Sequence, residues 1–420
     1  MRLVLYQVEM AIAALRVVQQ LKGSTDGILR IFFRDNRKIG AKDRIFIADT
    51  IFGVLRHFFS LKYITNATTP RLLILAYLVK FKGINLRELA PFITEIELKN
   101  LAGIKSVRLD SLPPFVRSEL PEWLIQKMQK KMSDADIFSL GLSFQKPSTL
   151  DLRVNTLVAS RDDVLMRLHK DGIDAEKTPF SPIGIRLIKK LTIQNHELFV
   201  TGKIEIQDEG SQLLGYLVQP KRGEIVVDFC TGSGGKALMM GSLMSSKGRI
   251  YGFDVSEKRL NKLKPRLKRS GLSNLFPRWI SSENDVRVKR LIGKVDRVLV
   301  DAPCSGLGTL RRNPGLKLCQ ASKNIEEKKN CQEAILTSSA RLLKPGGRLV
   351  YATCSFLSEE NQEVIKNFLS VHTQFKLLNC AELLLQQKIP LDTGKFLELY
   401  PGKHNTDSFF AAVLMLAKNK

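Results

Sequence analysis

The sequence predicts a doubly wound parallel α/β sheet over residues 216–420, preceded by a small α/β insert at 132–215 and an all-helical domain at 1–131. Three observations carry this division. From residue 216 short apolar stretches alternate with helical ones, at Ile225–Phe229, Arg249–Phe253, Val298–Val300 and Arg348–Thr353, and such alternation marks parallel strands joined by helical crossovers. Within these stretches polar and apolar residues do not alternate, as expected of strands covered on both faces. Residues 1–131 instead repeat apolar positions at helical spacing, while 132–215 mix the two periods.

In chain order, Met1–Leu21 is apolar but carries Glu9 and Arg16 at helical spacing and lacks a clear small-residue cleavage site. It reads as an amphipathic core helix and not as a signal peptide. Asp43–Phe59 places Ile47, Ile51, Val54, Leu55 and Phe58 on one helical face. Thr69-Pro70 predicts a helix start, with a hydroxyl cap and proline in the first turn, and Gly83 its stop. Because Arg71–Phe81 is apolar almost all round, it is expected at the centre of a helical bundle. In the insert, Thr149–Asn155 reads as a strand, Arg161–Lys170 as a short helix and Ile185–Ile188 as a second strand. Arg153 and Asn155 fit either an RNA-facing or a merely solvated strand face. Ile206–Gln212 carries helix-entry capping groups.

The chain has 420 residues, more than one typical core organises, and Lys+Arg 66 against Asp+Glu 41 leaves a net charge of +25. That excess is divided between the first 150 residues and the region beyond 200, so it is no basic tail. It predicts a broad surface for a polyanion, foremost nucleic acid. The six cysteines form no Cys-x-x-Cys pair and the five histidines do not cluster with them, which predicts no metal site and free thiols in a reducing, cytoplasmic setting. No apolar run is long enough to span a bilayer, so no membrane partner is expected.

Two strand ends hold the chemistry. Val298-Leu-Val-Asp301-Ala-Pro-Cys304-Ser-Gly306 and Arg348-Leu-Val-Tyr351-Ala-Thr-Cys354-Ser355 each run from a strand into a cysteine turn. If the strands are neighbours, about 4.8 Å apart, both thiols face one pocket at the carboxyl edge of the sheet. Upstream, the glycine-rich turn Asp228-Phe-Cys230-Thr231-Gly232-Ser233-Gly234-Gly235-Lys236 lets a ligand approach the backbone closely. It matches neither the dinucleotide nor the triphosphate loop pattern. Asp254, at the next strand end, is placed for ribose hydroxyls and Asp285, beyond a third strand, for an adenine amine. Together they predict an adenosine-type cofactor without a phosphate chain. Lys258–Arg269 is basic at every polar position except Asn261, and Arg311-Arg312 lies nearer the thiols, making it the better candidate for RNA contact.

With these motifs in view, residues 132–420 resemble the Sun/Fmu (NSUN-type) RNA cytosine-C5 methyltransferases. The resemblance rests on Asp301-Ala-Pro-Cys-Ser-Gly306 and Tyr351-Ala-Thr-Cys-Ser355, with Glu360-Asn361 just after. Leu152-Arg-Val-Asn155, Gln207-Asp-Glu-Gly-Ser-Gln212 and Thr406-Asp-Ser-Phe-Phe-Ala411 support it. The N-terminal helices, with Phe52-Gly-Val-Leu-Arg56, resemble the NusB-like RNA-binding domain of the bacterial small-subunit rRNA member. The chain departs from the family pattern in its glycine turn, at Gly315 where an acid is usual, and at Ser408 where glycine is common.

The resemblance implies a Rossmann-like S-adenosylmethionine-dependent methyltransferase sheet and a monomer acting on small-subunit rRNA or an assembly intermediate. It implies Cys354 as nucleophile toward cytosine C6, Cys304 in product release, and Asp301 with Lys236 at the base edge. The cofactor is expected along Cys230–Lys236 (Cys230, Thr231, Gly232, Ser233, Gly234, Gly235 and Lys236) and at Asp254, Asp285 and Asp301. The same chemistry on tRNA, or a non-catalytic RNA-binding assembly factor, are the competing readings. A DNA cytosine methyltransferase would carry Glu-Asn-Val, whereas here Gln362 follows Glu360-Asn361.

Overall fold

The computed structural model describes residues 4–20, 23–189 and 191–418. Two compact units emerge: one runs to Pro147 and includes Thr309–Ser322, and the other holds Ser148–Gly308 and the chain from Lys323. Compactness therefore divides the chain differently from the three sequence regions. The small insert sheet shares a unit with the large sheet, and helix Asp134–Gln145 belongs with the helical unit.

The helical unit packs around helix Pro70–Lys80, whose residues Leu73–Val79 are all buried, as its all-round apolarity predicts. Thr69 sits at its N-cap, but its hydroxyl makes no capping bond, so Pro70 at the first turn is the effective start signal. The helix ends at Lys80, and Gly83, at φ +69°, turns the chain away. The single helix expected over Asp43–Phe59 is split into Ala41–Arg56 and Phe58–Thr65. Between them His57 leaves helical geometry and stacks its ring 4.0 Å from that of Phe81. Within this unit Lys317, buried, donates to the Arg56 carbonyl at 2.8 Å and pairs with buried Glu119 at 3.2 Å. Glu119 in turn accepts the Phe59 and Ser60 N–H groups at the start of the second helix.

The other unit contains two sheets. The smaller has β1 (Leu150–Val154), β2 (Ala175–Lys177), β3 (Gly184–Leu187) and β4 (Ile204–Ile206), antiparallel in the order β2-β3-β1-β4. The larger has β5 (Ile225–Asp228), β6 (Arg249–Asp254), β7 (Leu275–Trp279), β8 (Val295–Asp301), β9 (Leu343–Thr353), β10 (Phe375–Leu378), β11 (Leu397–Leu399) and β12 (Phe409–Leu416). Its path is β10-β12-β9-β8-β5-β6-β7, with β11 added on β12. Strands β7 to β9 of this path are parallel, the doubly wound arrangement expected, while β10, β11 and β12 add an antiparallel flank. Because the chain winds outward from β5 through β7 and then returns to β8 on β5's other side, the strand order reverses between β5 and β8. Crevices at such a reversal, outside the carboxyl ends of the strands, are where ligands bind.

Candidate active site

The site lies at that reversal, and each strand delivers one group to it. β5 ends on Asp228, β6 on Asp254 and β8 on Asp301, while β9 ends one residue before Cys354. A cavity of about 1010 Å³ is lined by Asp228, Cys230–Ser233, Gly235, Lys236, Asp254, Asp301, Cys304 and Cys354. The parallel register of β8 and β9, with Asp301 opposite Ala352, brings the two cysteine turns together, and the Cys304 and Cys354 sulfurs lie 3.3 Å apart. A hydrogen bond to Cys354, then burial, then the charges of Cys354 and Glu360 push the Cys304 thiol well above its ordinary value.

Lys236 reaches across from the glycine turn and donates to Asp301 at 2.6 Å. Burial opposes its charge, but Asp301 and then Asp228 outweigh that and hold the ammonium above its ordinary pKa. The turn itself is built by groups distant in sequence. The Gly232 N–H donates to Asp254 at 2.8 Å, Arg266 donates to the Ser233 carbonyl at 2.6 Å, and Arg153 donates to the Gly235 carbonyl. Gly234 has φ +82°, and a Cβ there would lie 2.1 Å from the Leu263 side chain, so any other residue would be strained and would displace Leu263. Asp228 is 1% exposed; Thr231 donates to one of its oxygens at 3.0 Å and the other has no hydrogen-bond partner. Burial, then repulsion from Asp301, pushes its carboxyl up to about 7.

Among the sequence-predicted residues, Asp285 stays outside this lining. Its carboxylate caps the short helix Val286–Lys289, accepting from the Ser281 and Arg287 N–H groups and from the Ser281 hydroxyl. The polar side chains taken as RNA candidates in the insert are scaffold instead. Arg153 and Asn155 are 2% and 4% exposed because β1 is an inner strand, and Asn155 donates to the Gly202 and Ser270 carbonyls. Arg311 is likewise buried, donating to the Pro147 carbonyl at 2.7 Å within the helical unit, so it offers no surface to RNA. In the basic helix Glu257–Ser270 the roles are divided: Arg259, Lys262 and Arg266 border the cavity, and Arg266 also pairs with Glu205 at 2.9 Å. Cys380 is buried, while Cys319 and Cys331 are exposed. Cys331 lines the cavity. Sequence reasoning missed Phe409, whose ring lies 5.9 Å from the Lys236 ammonium; the Thr406–Ala411 motif was its only signal.

The cavity fits a cationic, hydroxyl-bearing cofactor. Four carboxylates line it, those of Asp228, Asp254, Glu283 and Asp301, and Asp228 has a buried oxygen awaiting a partner, while the glycine turn leaves the floor open. Its size suits a nucleoside carrying a further chain. The strand order and this site define a Rossmann-like S-adenosylmethionine-dependent methyltransferase, with S-adenosylmethionine as cofactor. Among the described residues no group of three or more His, Cys, Asp or Glu is placed to hold a metal ion, and no helix is long and apolar enough to cross a membrane.

Comparison with known proteins narrows the class. Residues 215–415 match the family model described as 16S rRNA methyltransferase RsmB/F, and residues 120–194 match the ferredoxin-like domain of RsmF/B-like methyltransferases. A probable ribosomal RNA small subunit methyltransferase B of Bacillus subtilis is 26% identical over 96% of this chain and 97% of its own. Its namesake in a Synechocystis species is 34% identical over 71% of this chain and 67% of its own. Among solved structures, a methyltransferase homolog protein from Pyrococcus horikoshii is 30% identical, with a TM-score of 0.58 over 71% of this chain and 100% of that one. The chain belongs to the 16S rRNA methyltransferase RsmB/F family.

Proposed function

We propose that this chain methylates carbon 5 of a cytosine in small-subunit 16S rRNA through a covalent adduct between Cys354 and carbon 6. The observation that carries the reading is the pair of sulfurs 3.3 Å apart on adjacent strand ends beside the Lys236–Asp301 ion pair. Carbon 5 of cytosine is too weak a nucleophile to take a methyl group unaided. A thiolate adding to carbon 6 makes carbon 5 enamine-like, dividing one hard step into easier ones. Bound S-adenosylmethionine supplies the methyl group. A base then takes the carbon 5 proton, the electron pair of that bond re-forms the carbon 5–carbon 6 double bond, and the Cys354 sulfur leaves carbon 6 with the electrons of the broken bond.

The roles given to the two thiols rest on the resemblance of their motifs to those of the family. The neighbouring Cys354 sulfur and burial hold the Cys304 thiol well above its ordinary value, which supports Cys304 as the protonated partner beside the attacking Cys354. Asp301, one oxygen fixed by Lys236, takes the N3/N4 edge of the base. Lys236 with the glycine turn and Asp254 hold the cofactor. The base enters single-stranded or flipped out. The reading takes rRNA or an assembly intermediate as partner, bound in part by the basic helical unit, with the protein a cytoplasmic monomer.

With S-adenosylmethionine and 16S rRNA fragments or assembly intermediates, Cys304→Ala is expected to accumulate a protein–RNA adduct that survives denaturation. Cys354→Ala is expected to give neither adduct nor methyl transfer. An adduct with Cys354→Ala and none with Cys304→Ala exchanges the two roles. Absence of both adduct and methyl transfer with the unmodified protein overturns the activity.

A further inference from the structure

We propose that Glu360 and Asn361 are a single positioning device that keeps the two thiols in register, one side chain gripping each cysteine turn. This rests on the assignment of Cys304 and Cys354 to the reaction. After β9, Glu360 ends the 3-10 turn Ser358–Glu360 and Asn361 is the N-cap residue of the helix Gln362–Val371, and both residues are buried, at 0% and 2% exposed. Glu360 holds one neighbour of Cys304 directly and the other through Gln332. Its Oε1 accepts the Ser305 N–H at 2.7 Å and its Oε2 the Ser305 hydroxyl at 2.6 Å. Gln332 donates to Oε1 at 3.1 Å and to the Pro303 carbonyl at 3.1 Å, which ties the other flank of Cys304 to the same carboxylate.

Asn361 repeats the pattern on the second turn. Its Nδ2 donates to the Ser355 carbonyl at 3.0 Å and its Oδ1 accepts the Thr353 hydroxyl at 2.6 Å, so both neighbours of Cys354 are held. Two more contacts lock the device together. The Tyr351 hydroxyl, from the strand that carries Cys354, donates to the Glu360 carbonyl at 2.6 Å, and the Ser305 and Ser355 hydroxyls lie 3.3 Å apart.

The residue types suit the task. Three donors converge on the side chain of Glu360, and only an acceptor-only carboxylate satisfies them all without inverting a dipole. Asn361 must donate on one side and accept on the other, which an amide does and a carboxylate does not. The carboxylate also places a negative charge next to Cys304, where it opposes ionisation of that thiol and not its geometry. Two thiols that serve one base in successive steps cannot drift apart, since a misplacement of about 1 Å costs about a hundredfold in rate.

The test separates bond formation from release. In single-turnover assays with 16S rRNA fragments and S-adenosylmethionine, Glu360→Ala is expected to form adduct near the unmodified rate and release it about tenfold to a hundredfold more slowly. Asn361→Ala is expected to slow adduct formation by a similar factor. Equal slowing of both steps in both variants, or wild-type behaviour in either, overturns the proposal. Run alongside, the single cysteine variants report on the underlying assignment: if Cys304→Ala accumulates no adduct, it is that assignment which fails. Glu360→Gln covers the case in which the alanine variant does not fold. It keeps an acceptor for the Ser305 N–H but removes the charge, so alkylation of Cys304 by iodoacetamide, read by mass spectrometry of its peptide in the protein without RNA, should move to lower pH. An unchanged alkylation profile counts against the device.

Discussion

The carboxyl ends of β5 and of the β8–β9 pair open on one cavity, yet they are finished in opposite ways. At β5, Asp228 is buried with an oxygen that has no partner, under a turn kept open by glycines. At β8 and β9, Glu360, Asn361, Ser305 and Gln332 join in a hydrogen-bonded network around the two thiols, in which only the Gln332 Oε1 has no partner. A buried polar group without a partner costs free energy, and the same group completed by a ligand gives part of it back. The cofactor end is therefore left for the ligand to complete. At the thiol end both side chains that grip the cysteine turns, Glu360 and Asn361, are hydrogen-bonded beforehand, because atoms that react must not first be arranged.

Substitution at the two ends should therefore change stability with opposite signs. Asp228→Asn is expected to stabilise the cofactor-free protein by on the order of 3 kcal/mol at pH 8. The folded carboxyl, near 7, lies above its ordinary 3.8, so ionisation opposes folding. The penalty is absent below pH 3.8, grows through the interval up to 7, and is complete above it. Denaturant midpoints of both proteins measured from pH 4 to pH 8 should therefore diverge as pH rises. A constant difference would show that Asp228 is not held as an unsatisfied acid.

At the finished end, Ser305→Ala removes a donor from the buried Glu360 carboxylate and is expected to destabilise by about 2 kcal/mol. If its midpoint equals that of the unmodified protein, the contrast between the ends is lost. The smallest expected effect is at β6. Asp254 already accepts the Gly232 and Ser256 N–H groups, and Asp254→Ala should weaken S-adenosylmethionine binding about tenfold, close to 1.4 kcal/mol, by calorimetry. Unchanged affinity would remove Asp254 from the cofactor site and leave it a purely structural brace.

The contrast between the ends also marks what could be read in advance. The strands ending at Asp228, Asp254 and Asp301 were legible, since unbroken apolar runs between helical stretches have few other solutions. So were the cysteine turns and the glycine turn, whose residue types are local requirements of tight backbone. Asp285 was read as a cofactor ligand and is seen capping a helix, since an acid after a strand suits either task. Arg153 and Arg311 were misread because charge suggests exposure. Their burial follows from an inner strand in one case and from a segment packed within the helical unit in the other.

Sequence alone thus determined the periodic elements and the turn chemistry, the two cysteine turns included, because each depends on residues within a few positions of one another. Tertiary structure decided the partnerships. Lys236 meets Asp301 across 65 positions, Ser305 meets Glu360 across 55, and Cys304 meets Cys354 across 50. Such meetings depend on strand order and register, which side-chain patterns constrain only collectively. They are set when the sheet closes and buries its two faces, and no single stretch of the chain contains that information.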